Sequence, residues 1–176
     1  MALEFISGPV MYARVFENNR DLEGYEGKYK EHDGMYTVCI GVPEYGDDYK
    51  RIMGWNRMYA PKIGGKDKGF ELDRGAVEGM AYFTFKRKHT NPVRAQWGGA
   101  PQVVNVDRQD WDTETMIGNG STATIKLDVE KSKNNPKITF VRLEGLLIEE
   151  LVPYERLEVD DSAKTSSNNL NDDIPF

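Results

Sequence analysis

The sequence predicts an all-β domain carrying one helix, followed by a polar tail. Three observations carry this prediction. Apolar and polar residues alternate at strand spacing through most of the chain, turn-forming residues separate the runs, and the pattern stops after Tyr154. With 176 residues, the chain is long enough for one domain with appendages, expected as a domain at 1–155 and a tail at 156–176.

Val10 to Phe16 alternates, with Met11, Ala13 and Val15 on one face and Tyr12, Arg14 and Phe16 on the other. Gly34 to Val42 is rich in β-formers and is closed by Pro43. Asp47 and Asp48 are suited to cap a helix running to about Ala60, in which Ile52, Trp55 and Tyr59 recur at spacings of three and four, interrupted by Gly54 and stopped by Pro61. Pro61 to Gly79 is rich in Gly and Lys, without periodicity, and reads as a mobile loop. Strand signals resume at Met80 to Lys88, Gln102 to Asp107, Thr122 to Lys131 and Lys137 to Leu151. In the third of these, Ala123, Ile125, Leu127 and Val129 share a face. Asn134-Asn135-Pro136 makes the last two strands a hairpin, and Gly145 marks a bulge or bend that lets a small sheet close on itself.

Net charge is −6, which taken whole argues against a polyanion partner. The average hides a segregation. Between Lys50 and Arg94, eleven Lys or Arg oppose four acids, so this stretch carries +7 and the remainder −13. Cys39 is the single cysteine, which excludes a disulfide framework and a cysteine-rich zinc site within one chain and makes a reducing cytoplasm the default. No apolar stretch reaches the ~18 residues of a membrane span, and no signal peptide is read at the N-terminus. Residues 161–171 are mostly Ser, Asn, Thr and Asp, too polar to offset the entropy of ordering, yet the chain ends on Ile174, Pro175 and Phe176. A hydrophobic tip on a solvated acidic string suits a docking peptide.

The terminal D-D-I-P-F resembles the tip of bacterial and bacteriophage single-stranded DNA-binding proteins. In segment order, the body resembles those of podophages: G-M-Y-T-V-C-I-G-V-P leading into a helix, Y-F-T-F-K-R-K, V-V-N-V-D, I-G-N-G-S-T-A-T-I-K-L-D-V, and I-T-F-V-R-L-E-G-L-L-I-E-E-L-V-P-Y. The resemblance implies an OB-fold, a five-stranded barrel with one helix, acting in phage DNA replication and recombination in the cytoplasm of the infected bacterium. It also implies recruitment of replication proteins (DNA polymerase, helicase-primase or nuclease) by Asp172, Asp173, Ile174, Pro175 and Phe176. It is compatible with a homodimer, although no heptad or apolar patch in the sequence fixes an oligomeric state.

Sequence-independent binding of single strands needs cations along the phosphates and exposed rings on which bases stack. The run from Met80 to Lys88 offers both. Ala81, Phe83 and Phe85 are expected in the core, with Tyr82, Thr84, Lys86 and Lys88 on the opposite face and Arg87, Arg94 and Trp97 beyond. Tyr12, Arg14, Phe16, Trp111 and Lys126 complete the expected DNA-binding set, while Trp55 is read as helix packing. No cofactor, metal or catalytic residue is expected. His32 and His89 are the only histidines and lie in polar segments. The carboxylates Asp107, Asp110, Asp112 and Glu114 suggest a metal-dependent nuclease as an alternative, but lack the spacing of a calcium loop and read as a solvated turn. A further alternative is an OB-type adaptor that binds replication proteins without touching DNA.

Overall fold

The computed structural model describes residues 2–55 and 60–154. Seven strands form the framework: β1 (Ala2–Arg14), β2 (Met35–Pro43), β3 (Lys62–Ile63), β4 (Met80–Lys88), β5 (Gln102–Val104), β6 (Thr122–Lys131) and β7 (Thr139–Glu150), with one α-helix among the described residues, α1 (Asp47–Met53), and four short 3-10 segments. Strand order is β3-β4-β2-β1-β6-β7-β5, antiparallel except for the β5–β7 pair. The architecture is OB-like and all-β. It exceeds the expected five strands by the two short edge strands, β3 and β5.

β1 begins before the alternating run that announces it. Its first half pairs with β6, from Ala2 opposite Val129 to Pro9 opposite Thr122, and its second half pairs with β2, from Val10 opposite Ile40. One long strand therefore serves two sheets, which lets the structure curl. A register shift between Met11 and Arg14, with Tyr12 at φ 52°, breaks the expected two-residue alternation. Val10, Val15 and Phe16 consequently enter the main core, whereas Met11 lies in a second cluster on the opposite face.

The main core collects Ile6, Val38, Ile40, Phe83, Phe85, Ile125, Leu127, Leu143 and Ile148 from the strands. Ala81, Phe83 and Phe85 occupy it as the sequence predicts. α1 closes one side of it. Asp47 and Asp48 stand in its first turn, where they complement the helix dipole, and Ile52 is fully buried. Tyr49 packs on Phe83 and Trp55 on Phe85, at centroid distances of 5.8 and 6.4 Å. The helix ends at Met53, with Gly54 as its C-cap, shorter than the predicted run to Ala60. Residues 56–59, Tyr59 among them, lie outside the described residues.

The Pro61–Gly79 segment, expected as a mobile loop, forms a flap packed on the sheet. It contains β3 and a 3-10 turn at Leu72–Arg74. Gly64 N–H donates to the Met80 carbonyl at 2.9 Å and Gly65 N–H to that of Phe70 at 2.7 Å. Phe70 and Ala76 are buried against Met11, Cys39 and Tyr82 on the outer face of the sheet. Apolar area removed from water on both sides explains why every residue of β2 from Tyr36 to Val42 is buried.

β6 and β7 form the predicted hairpin. Lys126 pairs with Gly145 and Leu127 with Leu143, so Glu144 is an extra, bulged residue beside Gly145. No helix among the described residues is long and apolar enough to cross a membrane.

Candidate nucleic-acid interface

β4 and β7 flank the side on which the two halves of the sheet approach each other, and an open groove of ≈ 1250 Å³ lies at their ends. Lys86, Arg87 and Lys88 come to it from β4, Arg94 and Trp97 from the following loop, and Lys131, Lys133, Phe140 and Arg142 from the β6–β7 hairpin. Asp128, Glu130 and Glu144 are its carboxylates. Seven cations thus face three acids.

Two of the cations hold those acids. Arg87 Nη1 meets Glu144 Oε2 at 2.6 Å, and Arg142 pairs with Asp128 and, at 3.9 Å, with Glu130. Among the described residues, no carboxylate stands within ion-pair distance of Lys86, Lys88, Arg94, Lys131 or Lys133. The field of the groove is therefore set by five uncompensated charges. Lys86 Nζ lies 5.2 Å from the centroid of the Tyr29 ring, which extends the aromatic and basic surface across the outer face of β4.

Two rings bring apolar surface to the groove. The Arg142 guanidinium lies 4.0 Å and that of Arg94 5.0 Å from the Trp97 centroid, so the indole is engaged by cations. Phe140, 52% exposed on β7, is the open ring. The loop carrying Trp97 folds tightly on the end of β4. Gly99 N–H donates to the His89 carbonyl at 2.7 Å, and a Cβ at Gly98 would stand 2.8 Å from the same oxygen, so only glycine fits there.

Of the surfaces through which OB-folds bind oligonucleotides, a central strand, β4, and the last hairpin, β6–β7, line this groove, and the 89–99 loop takes the remaining side. Solved structures that resemble the chain include three of phage proteins. Single-stranded DNA-binding protein from bacteriophage Enc34 is 16% identical, with 93% of this chain and 89% of that chain covered at a TM-score of 0.50. Its complex with ssDNA is 15% identical, covering 87% and 89% at 0.52. gp2.5, a single-stranded DNA-binding protein encoded by bacteriophage T7, is 18% identical, covering 92% and 98% at 0.50. The chain shares its fold with these phage proteins. No protein-family model and no curated protein matches it.

Of the residues expected to meet DNA, Lys86, Arg87, Lys88, Arg94 and Trp97 gather at the groove. Four expected stacking rings do not. Tyr82 is 2% exposed beneath the flap, and its hydroxyl accepts a hydrogen bond from Val77 N–H at 2.9 Å. Because the flap covers the outer face, strand alternation turned the ring into a second core. Tyr12 lies in the same cluster, edge-on to Phe70 at 5.6 Å, and its hydroxyl donates to the Gly69 carbonyl. Burial pushes its phenol up to about 12 and raises that of Tyr82 in the same direction. Phe16 is in the main core, the consequence of the shifted register in β1. Trp111 packs partly buried on that core and donates its Nε1–H to the Thr115 carbonyl at 2.9 Å.

Arg14 and Lys126 lie outside the groove lining, Arg14 in an ion pair with Asp21 at 3.6 Å. Arg87 is at the groove but mostly buried, with a side chain only 9% exposed. Sequence reasoning missed Lys131, Lys133, Phe140, Arg142 and Tyr29. The alternation of Phe140, Arg142 and Glu144, together with the basic turn between β6 and β7, is the signal that points to the hairpin.

The carboxylates at 107–114 form no metal centre. Asp112 accepts from Glu114 N–H and Thr115 Oγ1–H, both at 3.0 Å, so it caps its own turn. Among the described residues no group of three or more His, Cys, Asp or Glu is arranged to hold a metal ion. Asp172 to Phe176 lie outside the described residues.

Proposed function

We propose that the protein binds single-stranded DNA without sequence preference in the groove between β4, the 89–99 loop and the β6–β7 hairpin. One observation carries this reading: five cations without a carboxylate partner among the described residues and the exposed Phe140 ring converge on one open groove of a protein whose net charge is −6. Phosphates pair with Lys88, Arg94, Lys131 and Lys133, and bases stack on Phe140 and, once a guanidinium yields, on Trp97. The fold shared with a phage protein solved in complex with ssDNA supports the same reading. It suits protection of single strands during phage replication and recombination, in the cytoplasm of an infected bacterium.

Titration with oligothymidine tests it. Trp fluorescence is quenched as bases enter the groove, and affinity falls linearly with log salt. An adaptor that binds only protein gives no quenching and sinks the reading.

The tail has a separate role in this proposal. Asp172 to Phe176 present a carboxylate-rich apolar peptide of the kind that a basic-rimmed pocket on a polymerase, helicase-primase or nuclease captures. Deleting residues 172–176 preserves or tightens DNA binding and abolishes co-purification of those partners. Loss of DNA affinity on that deletion contradicts the assignment.

A further inference from the structure

We infer that Arg87 is a positioning residue, which fastens the Trp97 loop to β7 and so pre-forms the DNA groove without itself contacting phosphate. This rests on the functional reading above. β4 and β7 are not hydrogen-bonded neighbours in the sheet, and the backbone hydrogen bonds of the 89–99 loop run within the loop and to the 32–34 segment beside β4. Arg87 spans that gap. Its Nε donates to the Gly99 carbonyl at 2.8 Å, and its Nη2 donates to the Gln96 and Gly98 carbonyls at 3.1 and 2.9 Å. Its Nη1 donates to Glu144 at 2.6 Å, with a longer contact of 3.4 Å to the Leu143 carbonyl.

The donors of the guanidinium are consumed by protein acceptors on three sides, and the side chain is 9% exposed. A phosphate would have to displace a carboxylate or a carbonyl from a fork that is already satisfied. The partner on β7 is itself set by the fold, because Glu144 is the residue that the bulge beside Gly145 adds to the strand. The loop ends of this fork flank Trp97, and Arg94 opens the same turn. Ordering that turn before DNA arrives removes a cost that binding would otherwise meet.

Two variants of the full chain test the inference, each read by oligothymidine titration over a range of salt and by amide hydrogen exchange. Arg87→Lys keeps the charge and loses the planar fork. The expected result is affinity weakened by about tenfold, the scale of ordering two rotamer-rich side chains on binding, with the log-salt slope unchanged and exchange at Gln96–Gly99 faster. Weaker binding with exchange at Gln96–Gly99 unchanged makes Arg87 a direct DNA contact and overturns the inference; the slope does not separate the two accounts in this variant, because lysine keeps the charge. Faster exchange with unchanged affinity also overturns it.

Glu144→Gln separates the two accounts by sign, and decides the matter if Arg87→Lys does not fold. Removing an acid from a polyanion groove tightens binding by Coulomb attraction alone, whereas loosening the fork weakens it. Weaker binding with faster loop exchange is expected; tighter or unchanged binding refutes the positioning role. Absence of any oligothymidine binding by the wild-type protein overturns the functional reading, and is distinct from these outcomes, in all of which the wild type binds.

Discussion

Replacing Lys88 and Lys133 together with Ala probes the electrostatics of the groove from both rims, β4 and the β6–β7 hairpin. Neither ammonium has a carboxylate partner among the described residues, so the change strands no buried charge and the fold is expected to survive. Each cation that neutralises a phosphate on a single strand contributes about 0.7 to the slope of log affinity against log salt. The double variant therefore flattens the slope by about 1.4. Carried from a 1 M reference, where the counterion term vanishes, to 0.1 M salt, that difference weakens binding about 25-fold. The assay is Trp fluorescence titrated with oligothymidine at several salt concentrations. Lys66→Ala with Lys68→Ala is the control, because those exposed lysines belong to the flap and lie outside the groove. An unchanged slope in the groove variant, or an equal loss in the flap variant, refutes the reasoning.

Three further outcomes follow from the packing. Phe140→Ala weakens oligothymidine binding by about 1–3 kcal/mol while leaving the salt slope unchanged, and Phe140→Tyr restores it. Tyr82→Ala costs about 3–5 kcal/mol in urea unfolding, as a large-to-small change in the second core, with the salt slope of the folded protein unaltered. Stability contributed by Tyr12 is complete below its unfolded pKa near 10 and is lost as pH rises through about 12, because only the unfolded chain ionises in that window. Urea midpoints measured on either side of pH 10 fall less steeply in Tyr12→Phe than in the wild type.

Local sequence signals led to the elements whose side-chain period survives in the fold. The start of α1 at Asp47, the core face of β4 and the β6–β7 hairpin with its bulge at Gly145 were all legible, because each is set by neighbours within a few residues. The register shift at Tyr12 was not, since nothing in an alternating run announces an inserted residue. That shift is why Phe16 is core and Tyr12 packs under the flap. Alternation along β4 puts Tyr82 on the face opposite Phe83 and Phe85, and the Gly-Lys segment, without periodicity, does not announce that its Phe70 and Ala76 bury that face.

Half of the groove was legible for the same reason. Lys86, Lys88, Arg94 and Trp97 are close in sequence and stay close in space. Lys131, Lys133, Phe140 and Arg142 join them only through the non-local approach of β7 to β4, which no local pattern encodes. Arg87 reads as one more cation in Lys86-Arg87-Lys88, and only its acceptors distinguish it.

Photo-crosslinking of oligothymidine to the full chain, with the attached peptides identified by mass, asks most directly where the strand lies. Adducts on Trp97, Phe140 and the 131–142 hairpin are the predicted result. Adducts confined to the flap at 61–79 or to the Trp111 turn would contradict the groove as the binding surface.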